Sequence, residues 1–170
     1  ARLREAQRGV FSAADLQTAL AERHRSAMTR RLKGLVERGA LQRFIRGWYL
    51  TPAFDAPTLC ARLSPTATLS FDTVLAQAGF IEERPPNQWL TTRVGPTRRY
   101  EGTGIVVEQL SIAAHLDFGF EVIDGVRWAL PEKAVLDTLY FHLRGRRFTF
   151  DIYSDVAYHR LDRGRLEEFL

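Results

Sequence analysis

Between Ser26 and Leu50 the chain has few folds open to it. Met28, Leu32, Leu35 and Val36 fall at i, i+4, i+7 and i+8, a single apolar stripe at helical spacing. Gly39 then suits the left-handed residue just past a helix end. Leu41 to Ile45 reads as a strand, Arg46-Gly47 as a tight turn, and Trp48-Tyr49-Leu50 as the returning strand. Upstream, Ser12 is placed to cap a helix through Ala21, and Asp15 completes a capping box three residues on. Leu16 and Leu20 share one face of that helix. A polar turn, Glu22 to Arg25, leads to Ser26, the expected cap of a second helix running to about Arg38. Helix, turn, helix and hairpin in that order predict a winged helix-turn-helix over residues 1–52.

The charge follows the same boundary. Residues 1–50 hold eleven Lys/Arg and four Asp/Glu, a net +7; residues 51–170 hold thirteen and sixteen, a net −3. A basic block of small-domain size beside a mildly acidic one predicts a polyanion-binding unit tied to something else. At 100° per residue the second helix turns Ser26, Ala27, Arg30, Lys33, Gly34 and Glu37 away from its apolar stripe. A face with small residues at Ala27 and Gly34 suits insertion into a groove. Arg25, Ser26, Thr29, Arg30, Arg31 and Lys33 are the expected DNA contacts on this helix, and Arg43 and Arg46 those on the hairpin.

The segment Thr51 to Pro57, with two prolines and an Asp, reads as the boundary. Residues 57–170 read as a small α+β domain with a mainly antiparallel sheet. Thr58 to Leu63 is a short helical piece. Ser70 caps a helix that Gly79 stops. Gln88 to Val94 and Ile105 to Leu110 are extended, with Gly102-Thr103-Gly104 as a turn. Asp124-Gly125 is a hairpin signal between alternating strands. Pro131 and Glu132 open a helix with a Val135, Leu136, Leu139, Tyr140 and Leu143 stripe, ended by Gly145. A last helix is expected from Gly164, cut short at Leu170.

No catalytic set stands out. His24, His115, His142 and His159 lack metal-ligand spacing, and there is no GxSxG, P-loop or GxGxxG. Asp117, Glu121 and Asp124 read as a solvated strand face. Arg144, Arg146 and Arg147 read as a complement to a helix C-terminus. The lone cysteine, Cys60, reads as a buried small residue and excludes an internal disulfide. The expected protein is therefore no enzyme and carries no cofactor or metal. No stretch reaches the roughly 18 apolar residues of a membrane span. With no signal peptide visible, a cytoplasmic location is expected.

Several motifs together resemble a known family. Phe11-Ser12-Ala13-Ala14-Asp15-Leu16, Leu35-Val36-Glu37-Arg38-Gly39-Ala40-Leu41 and Arg46-Gly47-Trp48-Tyr49 are similar to the N-terminal winged helix of AbiEi-type antitoxins of type IV toxin–antitoxin systems. Leu69 to Ala76, Gly79-Phe80-Ile81 and Pro131-Glu132-Lys133-Ala134 are similar to elements of that family's second domain. The resemblance implies an autorepressor that binds inverted repeats in duplex DNA at its own promoter. It also implies antagonism of a nucleotidyltransferase-like toxin through the second domain, without an obligate stable complex. Two other readings stay open from the residues: a plain winged-helix transcriptional regulator with a ligand-sensing or dimerising second domain, and an enzyme such as a nuclease with an N-terminal targeting domain.

Overall fold

The computed structural model describes residues 7–170, a mixed α+β protein. The N-terminal part contains β1 (Val10–Ser12), α1 (Ala13–Ala19), α2 (Arg25–Glu37), β2 (Gln42–Ile45) and β3 (Trp48–Leu50). The strands form an antiparallel sheet in the order β1-β3-β2. Ser12 caps α1 with a complete capping box: its hydroxyl accepts from Asp15 N–H, and the Asp15 carboxylate accepts from Ser12 N–H. α2 ends in a Schellman motif at Gly39, where the Gly39 and Ala40 amides donate to the Val36 and Leu35 carbonyls. Gly79 and Gly145 end their helices by the same paired bonds.

The start of α2 and the residues before α1 differ from the sequence expectation. The helix starts at Arg25, so the cap position belongs to His24, and Ser26 lies inside the first turn. The His24 backbone is extended, with φ −100° and ψ 127°, and its carbonyl already accepts from Met28 N–H at 2.9 Å. β1 ends on the capping Ser12 itself and completes the sheet.

The second part contains α3 (Ala56–Leu63), β4 (Thr68–Leu69), α4 (Phe71–Gln77), β5 (Gln88–Val94), β6 (Arg98–Gly102), β7 (Ile105–Ile112), β8 (Phe120–Ile123), β9 (Val126–Ala129), α5 (Pro131–Leu143) and α6 (Arg163–Phe169). Its six strands lie in the order β6-β7-β5-β4-β9-β8. Three neighbouring pairs are antiparallel; β5 with β7 and β4 with β9 run parallel. Pro57 sits in the first turn of α3, where a missing N–H costs nothing, and Asp55 caps the helix. Asp124 and Gly125 both have positive φ, as a two-residue hairpin turn requires.

The apolar side chains form four clusters. Phe11, Leu16, Met28, Leu32 and Leu41 fill the space between α1, α2 and the N-terminal sheet. A larger cluster joins Val10, Phe44 and Leu50 to Leu59, Cys60, Leu69, Ile105, Val107 and Val126, with Trp48 packed against it. This core crosses the expected boundary. At the same seam Arg62 donates to the Val10 carbonyl and to Asp15, and its guanidinium lies over the Trp48 ring. Gly102 meets the Phe44 backbone so closely that a Cβ there would fall 1.8 Å from the Phe44 carbonyl oxygen. The remaining clusters join the sheet to α4 and α5.

Candidate nucleic-acid interface

α2 and the β2–β3 hairpin carry all eight side chains singled out from the sequence, and all eight are exposed. Their surroundings separate them. Arg25 opens α2, and Arg30 lies on its outer face; neither makes an ion pair among the described residues. The same holds for Arg43 on β2 and for Arg46 in the hairpin turn. Among the described residues no acid neutralises these four exposed guanidiniums.

The other four are partly committed. Thr29 spends its hydroxyl on the Arg25 carbonyl, 2.9 Å away within the helix. Arg31 donates to the Leu20 carbonyl at 3.1 Å and lies 3.6 Å from Glu22, so it ties α2 to the end of α1. Lys33 stands 3.8 Å from Glu37 one turn on, with both side chains mostly exposed. Such a pair contributes little to stability and is readily exchanged for another anion. Ser26 makes no described side-chain bond and does not cap the helix.

Arg38 was not among the residues singled out from the sequence, yet it lies beside them. Its guanidinium folds back over Gly34, 3.5 Å from where a Cβ on that glycine would be. Leu20, Arg30, Arg31, Gly34, Leu35 and Arg38 enclose an open hollow of about 230 Å³. The signal was present in the spacing, since Arg38 stands four residues after Gly34 and eight after Arg30. Its place at the helix end concealed it.

Several ionisable groups of the second part are held in structural pairs. Asp117 bonds Arg127 at 2.7 Å, and Asp124 bonds Arg8 at 2.6 Å. Arg146 grips Glu108 with two bonds, of 3.0 and 2.8 Å. These bonds outweigh burial and hold the Glu108 carboxyl below its ordinary range. Arg146 therefore answers a strand carboxylate, whereas Arg144 lies over the Tyr140 ring and reaches that residue's carbonyl in the helix end. Cys60 is 1% exposed, and burial pushes its thiol up to about 12, so it remains a protonated core group. Among the described residues no three His, Cys, Asp or Glu side chains are grouped to hold a metal ion. Among them, too, no helix is long and apolar enough to cross a membrane.

The helix opening Pro131-Glu132-Lys133-Ala134 has a role that its sequence did not reveal. Lys133 and Asp137 form a buried ion pair, and the Ser70 hydroxyl donates to Asp137 at 2.7 Å. Glu132 is 3% exposed; it accepts from the Asp162 amide at 3.0 Å and faces Arg165 of α6 at 3.5 Å. The acid expected to favour the helix start thus anchors the C-terminal segment.

No family model matches the chain, and no curated protein matches it significantly.

Proposed function

We propose that the N-terminal part is a winged helix-turn-helix that binds duplex DNA, with α2 in the major groove and the β2–β3 hairpin as the wing. The observation that carries this is the set Arg25, Arg30, Arg43 and Arg46: four exposed guanidiniums on α2 and the hairpin, none paired with an acid among the described residues. The sequence of two helices followed by an antiparallel hairpin is the layout of that motif. Lys33, Thr29 and Ser26 supply further contacts along the same helix, and Arg31 supplies charge from a position fixed against α1.

The resemblance to AbiEi-type antitoxins extends the reading. On it, the chain represses its own promoter at inverted repeats and antagonises a nucleotidyltransferase-like toxin through residues 57–170.

Two measurements test the two halves. Binding of the purified chain to its promoter fragment should weaken steeply with salt, at a log–log slope of about −0.9 per phosphate neutralised. A salt-independent affinity removes the DNA reading. Co-expression with the adjacent gene should restore growth if that gene encodes the toxin; failure to do so leaves a transcriptional regulator without antitoxin activity.

A further inference from the structure

Gly34 sits in the interior of α2, where glycine weakens a helix. What its missing side chain provides is space. The hollow over it is lined by two apolar residues, Leu20 and Leu35, and by Arg30, Arg31 and Arg38. Arg31 is fixed in place by the Leu20 carbonyl and by Glu22. Arg38 lies along the helix with its guanidinium over the bare Gly34 backbone. Neither Arg30 nor Arg38 has an acidic partner among the described residues, and Glu37 on the next stripe is occupied by Lys33. Arg30, Arg31 and Arg38 thus line one hollow with only Arg31 set near an acid, Glu22, so an anion there would meet a net positive surface.

We propose that this hollow is a seat for one phosphate oxyanion, held chiefly by Arg38 and Arg31 with Arg30 at its lip. Guanidinium groups match phosphate oxygens with paired N–H donors, which a single ammonium does not. Among the described residues the lining contains no aromatic ring on which a base could stack, so the seat recognises the phosphate group itself. Its source is a backbone phosphodiester, and this part of the inference rests on the DNA reading above; free inorganic phosphate offers the same chemistry. Arg38 then sets affinity equally for all sequences, and base discrimination falls to other residues of α2.

The full chain serves for both arms of the test. In the first, anisotropy of a labelled random-sequence duplex is followed against salt. Arg38→Ala should make the log–log slope shallower by about 0.9, the loss of one phosphate contact. Gly34→Gln fills the hollow with a good helix former and leaves every charge in place; it should weaken binding while the circular dichroism spectrum is unchanged. In the second arm, inorganic phosphate is titrated onto the free isotopically labelled chain. The Gly34 amide and the Arg38 Nε–H resonances should shift, and in Arg38→Ala the Gly34 shift should disappear. Phosphate shifts without any duplex binding would keep the seat, assign it to free phosphate and remove the DNA reading alone. A salt slope and a Gly34 phosphate response both unchanged in Arg38→Ala would overturn the seat, as would undiminished duplex binding by Gly34→Gln.

Discussion

Asp15 shows how much one carboxylate does here. A single oxygen, Oδ2, accepts from the Ser12 amide and hydroxyl at 2.6 Å each and from Arg62 at 2.7 Å. Burial alone would raise its pKa; the Ser12 bonds and Arg62 together outweigh burial and hold the carboxyl below its ordinary range. A depressed carboxylate contributes stability above its unfolded pKa and loses it as pH falls through the folded value. Asp15→Asn should therefore lower stability near neutral pH by about 1–2 kcal/mol. The deficit against wild type should shrink in acid below the normal carboxylate pKa, as read from urea midpoints across pH. Charge on the outer face of α2 behaves differently. Arg30→Glu with Lys33→Glu should abolish duplex binding, because attraction becomes repulsion at two positions. The melting temperature should barely change, since both side chains are exposed and neither packs into a core. A melting temperature that collapsed along with binding would refute the separation of that face from the fold.

At the scale of elements, the buried pair in α5 is the sharpest case. Burial raises the Asp137 carboxyl, and Lys133 and Ser70 act against that rise. Lys133→Met leaves Asp137 with Ser70 as its remaining described partner and should cost about 3–5 kcal/mol. Lys133→Met with Asp137→Leu removes both charges and should recover most of that loss, a coupling that a double-mutant cycle in denaturant measures directly. Most helices and the hairpin turns were legible because their signals are local: the Ser12–Asp15 box, the stops at Gly39, Gly79 and Gly145, and the Asp124-Gly125 turn. Three strands were not. β1 is three residues long and runs into the Ser12 cap, so the cap signal hides it. β4 is two residues long, too short for any period to show. β6 reads Arg-Arg-Tyr-Glu-Gly, without the apolar alternation that marks a strand. Its place in the sheet comes from pairing with β7 across a tight turn. The parallel pairing of β5 with β7 is likewise a long-range choice that neither segment encodes alone. The candidate site was legible in part for the same reason. The helical wheel gave which side chains face outward, but not that Arg31 is drawn to the Leu20 carbonyl or that Arg38 lies across Gly34.

Across the whole molecule, the cluster that unites Val10, Phe44 and Leu50 with Leu59, Val107 and Val126 binds the two parts together. A chain with a core continuous across its charge boundary should unfold in one step. Near- and far-ultraviolet dichroism should trace the same denaturation curve, and two resolved transitions would show that the parts hold together only loosely. Gly102→Ala tests the seam itself. Its Cβ has no room beside the Phe44 carbonyl, so the strand must move, at a cost of about 1–3 kcal/mol in the thermal or urea transition. The same fit constrains how such a protein can be inherited. A unit that met its companion only through a flexible tether could be cut out and joined to another, and recombination would trade it freely. Here the strand that meets Gly102 and the ring that Arg62 covers belong to one half, and the surfaces they fit belong to the other. An exchange of either half alone would bring together surfaces never shaped to each other, so the two must change in step, each residue at the joint answering for a residue in the other half.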